Sequence, residues 1–164
     1  MHICWSAQAG LYYHYGIEKQ VLPQKLSGIF SHTVCAPENP LMAGFDDVFT
    51  APHSRYSAVE TAGIRTIPEL EILAESGGSR RLCDLGQKRR QLFVLGHPEY
   101  DRDSLKKEYL RDLTADRGLR PPEHCFAEGD LNHPVPCTWR SGATLLFANR
   151  LGVLAEKIYP ALSR

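Results

Sequence analysis

Cys4, His97 and Glu99 are the residues of this sequence whose types and settings could do chemistry together. A thiolate is a nucleophile, an imidazole can manage its proton, and a carboxylate can orient that imidazole and stabilise its charged form. Cys4 stands just ahead of residues 6–15, which read as a helix, and Ala7, Ala9 and Gly10 keep that turn compact. The amides and dipole of a helix start favour a thiolate at such a position. His97 follows the apolar run Gln91-Leu92-Phe93-Val94-Leu95 and Gly96. That run is of buried-strand type, so it delivers His97 at a strand's C-terminal end, where ligands bind in open α/β sheets. Pro98 stiffens the loop and holds His97 and Glu99 in fixed relation. Taken alone, these residues leave amide hydrolysis and acyl transfer equally open.

Several elements must position them. The helix over residues 6–15 is closed by Gly16, which suits a left-handed cap. Residues 28–34 have a strand-like mixture, ended by Pro37 and Pro40. Residues 45–51 lead from loop to strand, into Pro52-His53-Ser54-Arg55-Tyr56. Leu70-Glu71-Ile72-Leu73-Ala74 alternates as a strand does. Gly77-Gly78 reads as a turn and residues 81–84 as a short return strand. Asp103 is placed to cap a helix through about residue 115, with Leu105, Tyr109 and Leu113 on one face. Pro121-Pro122 opens a polar loop to about Pro136. Ser141 is placed to cap a last helix whose apolar stripe is Phe147, Leu151, Leu154 and Ile158, a core-packing pattern.

Composition removes several classes. At 164 residues the chain has the length of one domain, and 43% of its residues are hydrophobic, enough to form a core. Nineteen basic and nineteen acidic residues cancel, so no basic field attracts nucleic acid. The Lys88-Arg89-Arg90 cluster reads as a solvated turn. No apolar run approaches the roughly 20 residues of a membrane helix, and the first residues lack the charged and apolar regions of a signal peptide. The five cysteines are irregularly spaced with no close pair, which favours a reducing compartment over a disulfide scaffold. His124, Cys125, His133 and Cys137 have zinc-ligand chemistry, but their Pro-, Asp- and Asn-rich setting favours an ordinary loop and no metal.

The segment His2-Ile3-Cys4-Trp5-Ser6-Ala7-Gln8-Ala9-Gly10-Leu11-Tyr12-Tyr13-His14-Tyr15-Gly16-Ile17 resembles the nucleophile segment of the homoserine O-acyltransferases of methionine biosynthesis. The likeness continues through residues 18–30, Gly44-Phe45-Asp46-Asp47, Ala51-Pro52-His53-Ser54-Arg55-Tyr56 and Leu70-Glu71-Ile72-Leu73-Ala74-Glu75. It takes in Gly96-His97-Pro98-Glu99-Tyr100-Asp101, Tyr109-Leu110-Arg111-Asp112 and Trp139-Arg140-Ser141, so it spans nearly the whole chain in order. The resemblance implies an α/β fold: a class I glutamine amidotransferase-like (flavodoxin-like) sheet with flanking helices. By the same resemblance Cys4 is the acyl-accepting nucleophile, His97 the proton acceptor and Glu99 its partner. Lys25 and Ser54 are substrate-binding residues, and Arg111 clamps the amino acid carboxylate, a role its planar fork suits. The backbone N–H of Trp5, the residue after the nucleophile, donates to the oxyanion.

The implied reaction is acyl transfer from an acyl-CoA, acetyl-CoA preferred over succinyl-CoA, to the hydroxyl of L-homoserine. It needs no cofactor beyond that co-substrate and no metal. The implied setting is cytoplasmic, as a homodimer, with no nucleic acid or membrane partner. Glutamine amide hydrolysis is the rival enzyme reading, and an inactive truncated fragment the non-enzymatic one. The chain departs from the family in length, since an upstream part carrying the first strands of the sheet is expected before Cys4. Residues 1–164 therefore read as a single, incomplete catalytic domain lacking its N-terminal half. Ser6 stands where glycine or alanine is usual, and Ser141-Gly142 where serine followed by histidine is common.

Overall fold

The computed structural model of the protein describes residues 1–77, 83–86, 91–115 and 118–158. Gly78, Arg81 and the Lys88-Arg89-Arg90 cluster lie outside the described residues. In chain order the elements are β1 (His2–Ile3), α1 (Trp5–Tyr15), β2 (Lys19–Val34), β3 (Val48–Val59), α2 (Thr61–Arg65), β4 (Glu71–Glu75), β5 (Cys83–Gly86), β6 (Gln91–Val94), α3 (Ser104–Asp112) and α4 (Arg140–Ile158). The strands form one sheet in the order β1-β6-β5-β4-β2-β3. Among the described strands only β1 and β6 pair in parallel, with His2 opposite Phe93 and Ile3 opposite Val94. The other pairs are antiparallel. The one parallel pair is what matters for the site, because both of its strands end at the same edge of the sheet.

Strand β6 is buried on both faces, as its unbroken apolar run requires. Leu92 and Val94 pack with Leu41, Met42, Leu73, Leu146 and Val153. Phe93 and Leu95 face the other way, against Ala7, Leu11, Ile17, Val59 and Ile64. This is the alternation of a pleated strand with a helix layer on each side. Gly10 lets α1 settle on β6: a Cβ there would lie 2.8 Å from the Phe93 ring. Gly16 closes α1 at φ 67°, the left-handed cap its position implies.

The long β2–β3 hairpin departs from the sequence expectation. β2 starts at Lys19, well before residue 28, although it contains Pro23 and Gly28. Pro23 is accommodated where the pairing slips between Val21 and Leu26, since a residue without an N–H is tolerated at a bulge. Gly28 is required rather than merely tolerated, because a Cβ there would sit 2.4 Å from the Glu123 carbonyl oxygen. The hairpin joins β4 through only two registered pairs, at Thr33 and Val34. Its middle, around residues 52–55, reaches the ends of β1 and β6 instead.

Three expected details are corrected. Asp103 sits at the start of α3 but its side chain makes no capping bond, and the helix ends at Asp112. Ser141 lies inside α4, which begins at Arg140. The stripe of α4 is rotated: Leu151 and Ile158 are largely exposed, while Leu146, Arg150 and Val153 are buried. Polar anchoring explains the rotation. Asn149 Nδ2 donates to the carbonyls of Leu41 (3.0 Å) and Ala43 (2.8 Å) around the 3-10 turn Pro40–Met42, which turns that side of α4 inward.

Candidate active site

Cys4 occupies the turn between β1 and α1 with φ 51° and ψ −111°. A non-glycine residue with positive φ is strained, and such strain persists only where the surroundings enforce it. The surroundings are evident. The Cys4 amide donates to the Val94 carbonyl at 2.7 Å, tying the turn to the end of β6. The Ser6 hydroxyl accepts from the Ile3 amide and donates to the Ile3 carbonyl, both at 2.8 Å. The serine at this position thus cross-ties the turn. Gln8, which is 2% exposed, exchanges hydrogen bonds with Ser57 and fastens α1 to β3. The Trp5 N–H is the first of α1, and the first amides of a helix have no acceptor within it.

His97 leaves the end of β6 next to this turn. Its amide donates to the Pro52 carbonyl at 2.8 Å. Its Nδ1 lies 2.7 Å from Glu99 Oε1, which leaves Nε2 for Cys4. The Tyr100 ring stacks on the imidazole with centroids 4.2 Å apart, and Trp139 Nε1 holds the Tyr100 carbonyl at 3.0 Å. Burial pushes the His97 pKa down. Hydrogen bonds and attraction from Cys4 and Glu99 outweigh it and raise the value to about 9. Cys4, far from His97 and Glu99 in sequence, therefore joins them in one connected group.

Lys25, Ser54 and Arg111 line a single pocket of about 380 Å³ with Arg55, Tyr56, Glu108 and Asp112. Lys25 reaches it because the β2 irregularity falls at residues 22–25. Its Nζ lies 2.6 Å from Asp112 Oδ2, 3.9 Å from Glu108 Oε2 and 5.6 Å from the Tyr56 ring centroid. Ser54 Oγ donates to Glu108 Oε2 at 2.5 Å, and the Ser54 carbonyl oxygen lies 3.9 Å from Cys4 Sγ. Arg111 is largely exposed, and its Nε donates to Asp112 Oδ1 at 2.7 Å. Hydrogen bonds from Arg111 and Lys25 hold the Asp112 carboxyl below its ordinary range. The pocket offers both signs of charge, which fits a zwitterionic amino acid.

Glu108, Asp112 and Tyr100 were not among the residues picked out by sequence reasoning. A signal existed for two of them. Glu108 and Asp112 are four apart on α3, hence neighbours on one helix face. Nothing local marks Tyr100, whose role comes from its stack on His97. Cys125 is fully buried among Ile29, Leu105, Val135 and Trp139, and burial pushes its thiol up to about 11. Among the described residues no group of three or more His, Cys, Asp or Glu is placed to share a metal.

Residues 1–159 match the sequence model of the homoserine O-succinyltransferase family. The chain belongs to this family. It is 46% identical over 162 residues to a homoserine O-acetyltransferase of Lachnospira eligens, covering 98% of this chain and 52% of that protein. It is 48% identical over 151 residues to the homoserine O-acetyltransferase of Geobacillus kaustophilus, covering 92% of this chain and 50% of that protein. The chain thus spans about half the length of these curated relatives. In structure it is similar to a glutamine amidotransferase from Thermotoga maritima, with a TM-score of 0.56 at 12% identity over 96% of this chain and 60% of that one. That likeness carries the fold alone: the chain has the class I glutamine amidotransferase-like α/β architecture expected of the homoserine O-succinyltransferase family. Among the described residues no helix is long and apolar enough to cross a membrane.

Proposed function

We propose that this homoserine O-succinyltransferase family member transfers an acyl group from an acyl-CoA to the hydroxyl of L-homoserine, through a thioester on Cys4. The observation that carries the reading is the joining of a strained Cys4 turn, a His97–Glu99 pair and a charged pocket at the Ser54 carbonyl. The thiolate of Cys4 attacks the thioester carbonyl, and the Trp5 N–H donates to the oxyanion. The coenzyme A thiolate leaves and takes a proton from the His97 imidazolium. Acylation removes the Cys4 charge, one of the causes that hold the His97 pKa near 9. The imidazole can then stay neutral and accept the homoserine hydroxyl proton. The alkoxide takes the acyl group, and Cys4 is regenerated. Two half-reactions of this kind give ping-pong kinetics.

Arg111 exchanges its Asp112 partner for the substrate carboxylate, and Lys25 and Ser54 complete the amino acid pocket. Acetyl-CoA is the preferred donor, since the relatives compared carry acetyltransferase names. A thioester is already activated, so the reaction asks for no metal and no cofactor beyond the acyl-CoA. The setting is cytoplasmic, as a homodimer, without nucleic acid or membrane partners. The test is intact mass after incubation with acetyl- or succinyl-CoA, followed by peptide mapping. An acyl adduct on Cys4 that homoserine discharges is expected, with none in Cys4→Ala. Turnover of glutamine instead of the thioester would overturn the reading.

A further inference from the structure

Three polar side chains lie buried behind the site and take no part in the chemistry above. His32 and His53 are fully buried and Arg55 is 5% exposed. One Nη of Arg55 lies 2.7 Å from the Leu95 carbonyl and 2.6 Å from His53 Nδ1. His53 Nε2 lies 3.0 Å from His32 Nε2. His53 and Arg55 meet because residues two apart on a strand share a face.

A guanidinium can only donate, so the Arg55 contact places a lone pair on His53 Nδ1. Neutral His53 then carries its proton on Nε2 and donates to His32, whose own proton sits on Nδ1. Arg55 thus sets the direction of the whole row. The row also starts at a telling place. Leu95 precedes Gly96 and His97, and the Pro52 carbonyl accepts the His97 amide. The Ser54 carbonyl faces Cys4 Sγ. Residues 52–55 of β3 therefore touch the Leu95 carbonyl, the His97 amide and the Cys4 thiol.

We propose that His53 is a positioning residue: by accepting from Arg55 it fixes the guanidinium on the Leu95 carbonyl and so holds His97 toward Cys4. This rests on the reading that the Cys4–His97 pair does the chemistry. A buried guanidinium is costly unless its donors are met. The His53 and Leu95 acceptors share one Nη, and together they fix the direction in which that end of the planar group points. Without the His53 acceptor the guanidinium has an alternative, because Arg55 also lines the 380 Å³ pocket beside Ser54. Turning into that pocket would release the Leu95 carbonyl and loosen the His97 segment.

The experiment uses the full chain and follows iodoacetamide alkylation of Cys4 across the neutral pH range, site by site, by peptide mass spectrometry. Thiolate reactivity reports the Cys4–His97 pairing without needing turnover. Cys35, which is exposed, serves as the internal control. His53→Leu removes the acceptor, whereas His53→Asn keeps an oxygen near the Nδ1 position. The expected result is that His53→Leu slows Cys4 by about tenfold or more, leaves Cys35 unchanged, and is largely rescued in His53→Asn. An unchanged Cys4 rate in His53→Leu, an equal loss in both variants, or a parallel change at Cys35 would overturn the proposal. If His53→Leu does not fold, Arg55→Met takes its place, because it keeps the stem and removes every donor to the Leu95 carbonyl; selective slowing of Cys4 is expected and an unchanged rate overturns it. Failure of the acyl-transfer reading would be seen separately, as a wild-type chain whose Cys4 is alkylated in a His53-dependent way but takes no acyl group from a thioester.

Discussion

His97 carries the clearest consequence at the scale of single residues. Its pKa is raised to about 9, with burial opposing and the Cys4 and Glu99 interactions prevailing. A raised folded-state value means that the stabilising contribution is fully present below the unfolded value of about 6.5. It is lost as pH rises through about 9. Unfolding free energy should therefore fall between about pH 6.5 and pH 9, by at most about 3 kcal/mol from this group. Denaturant melts across that range check it. Glu99→Gln should flatten the dependence by removing one of the two raising partners. A wild-type profile that rises over the same interval would mean that His97 is held neutral. Ser6 and Tyr100 belong to this scale too. The two 2.8 Å bonds of Ser6 to Ile3 show what its hydroxyl does.

At the scale of elements the decisive contact is α1 on β6. Two opposing effects meet at Gly10. Within an exposed helix, glycine to alanine stabilises by about 1 kcal/mol. Here the added methyl would lie 2.8 Å from the Phe93 ring and 3.3 Å from the His2 ring. Overpacking of this kind typically costs about 1–3 kcal/mol, so packing should win. Gly10→Ala is expected to lower the melting temperature and, because α1 carries Cys4 at its start, to slow Cys4 alkylation. A stabilised variant would show that helix and strand have room to separate. The rotation of α4 teaches a related lesson. Its most regular apolar stripe is not the one buried, because Asn149 satisfies two backbone carbonyls of the Pro40–Met42 turn.

On the scale of the whole molecule, several apolar groups face solvent. On α4 these are Leu151, Leu154 and Ile158, and on α1 they are Trp5, Tyr12 and Tyr13. Among the described residues β1 pairs on one side only, with β6. Unpaired strand edges and exposed apolar groups favour association. The chain also spans about half the length of its relatives. We expect the chain to associate in solution through these surfaces. Sedimentation over a range of protein concentrations checks this. A chain that stays monomeric would refute it.

The sequence by itself determined the local devices. It marked the cysteine ahead of a helix, the left-handed cap at Gly16, the buried run of β6 and the short His97-Pro98-Glu99 spacing. Each of these is a matter of a few adjacent residues, so propensity and chemistry suffice to read it. The family resemblance was legible for the same reason, since its motifs are short and contiguous. Only the tertiary structure decided what depends on strand order and helix rotation. β1 and β6 are parallel neighbours although some ninety residues separate them. That neighbourhood is what brings Cys4 to His97. The bend of the β2–β3 hairpin puts Lys25 and Ser54 beside α3, where Glu108 and Asp112 await them. Burial then settles the rest: a histidine such as His53 looks the same in sequence whether it meets water or a guanidinium.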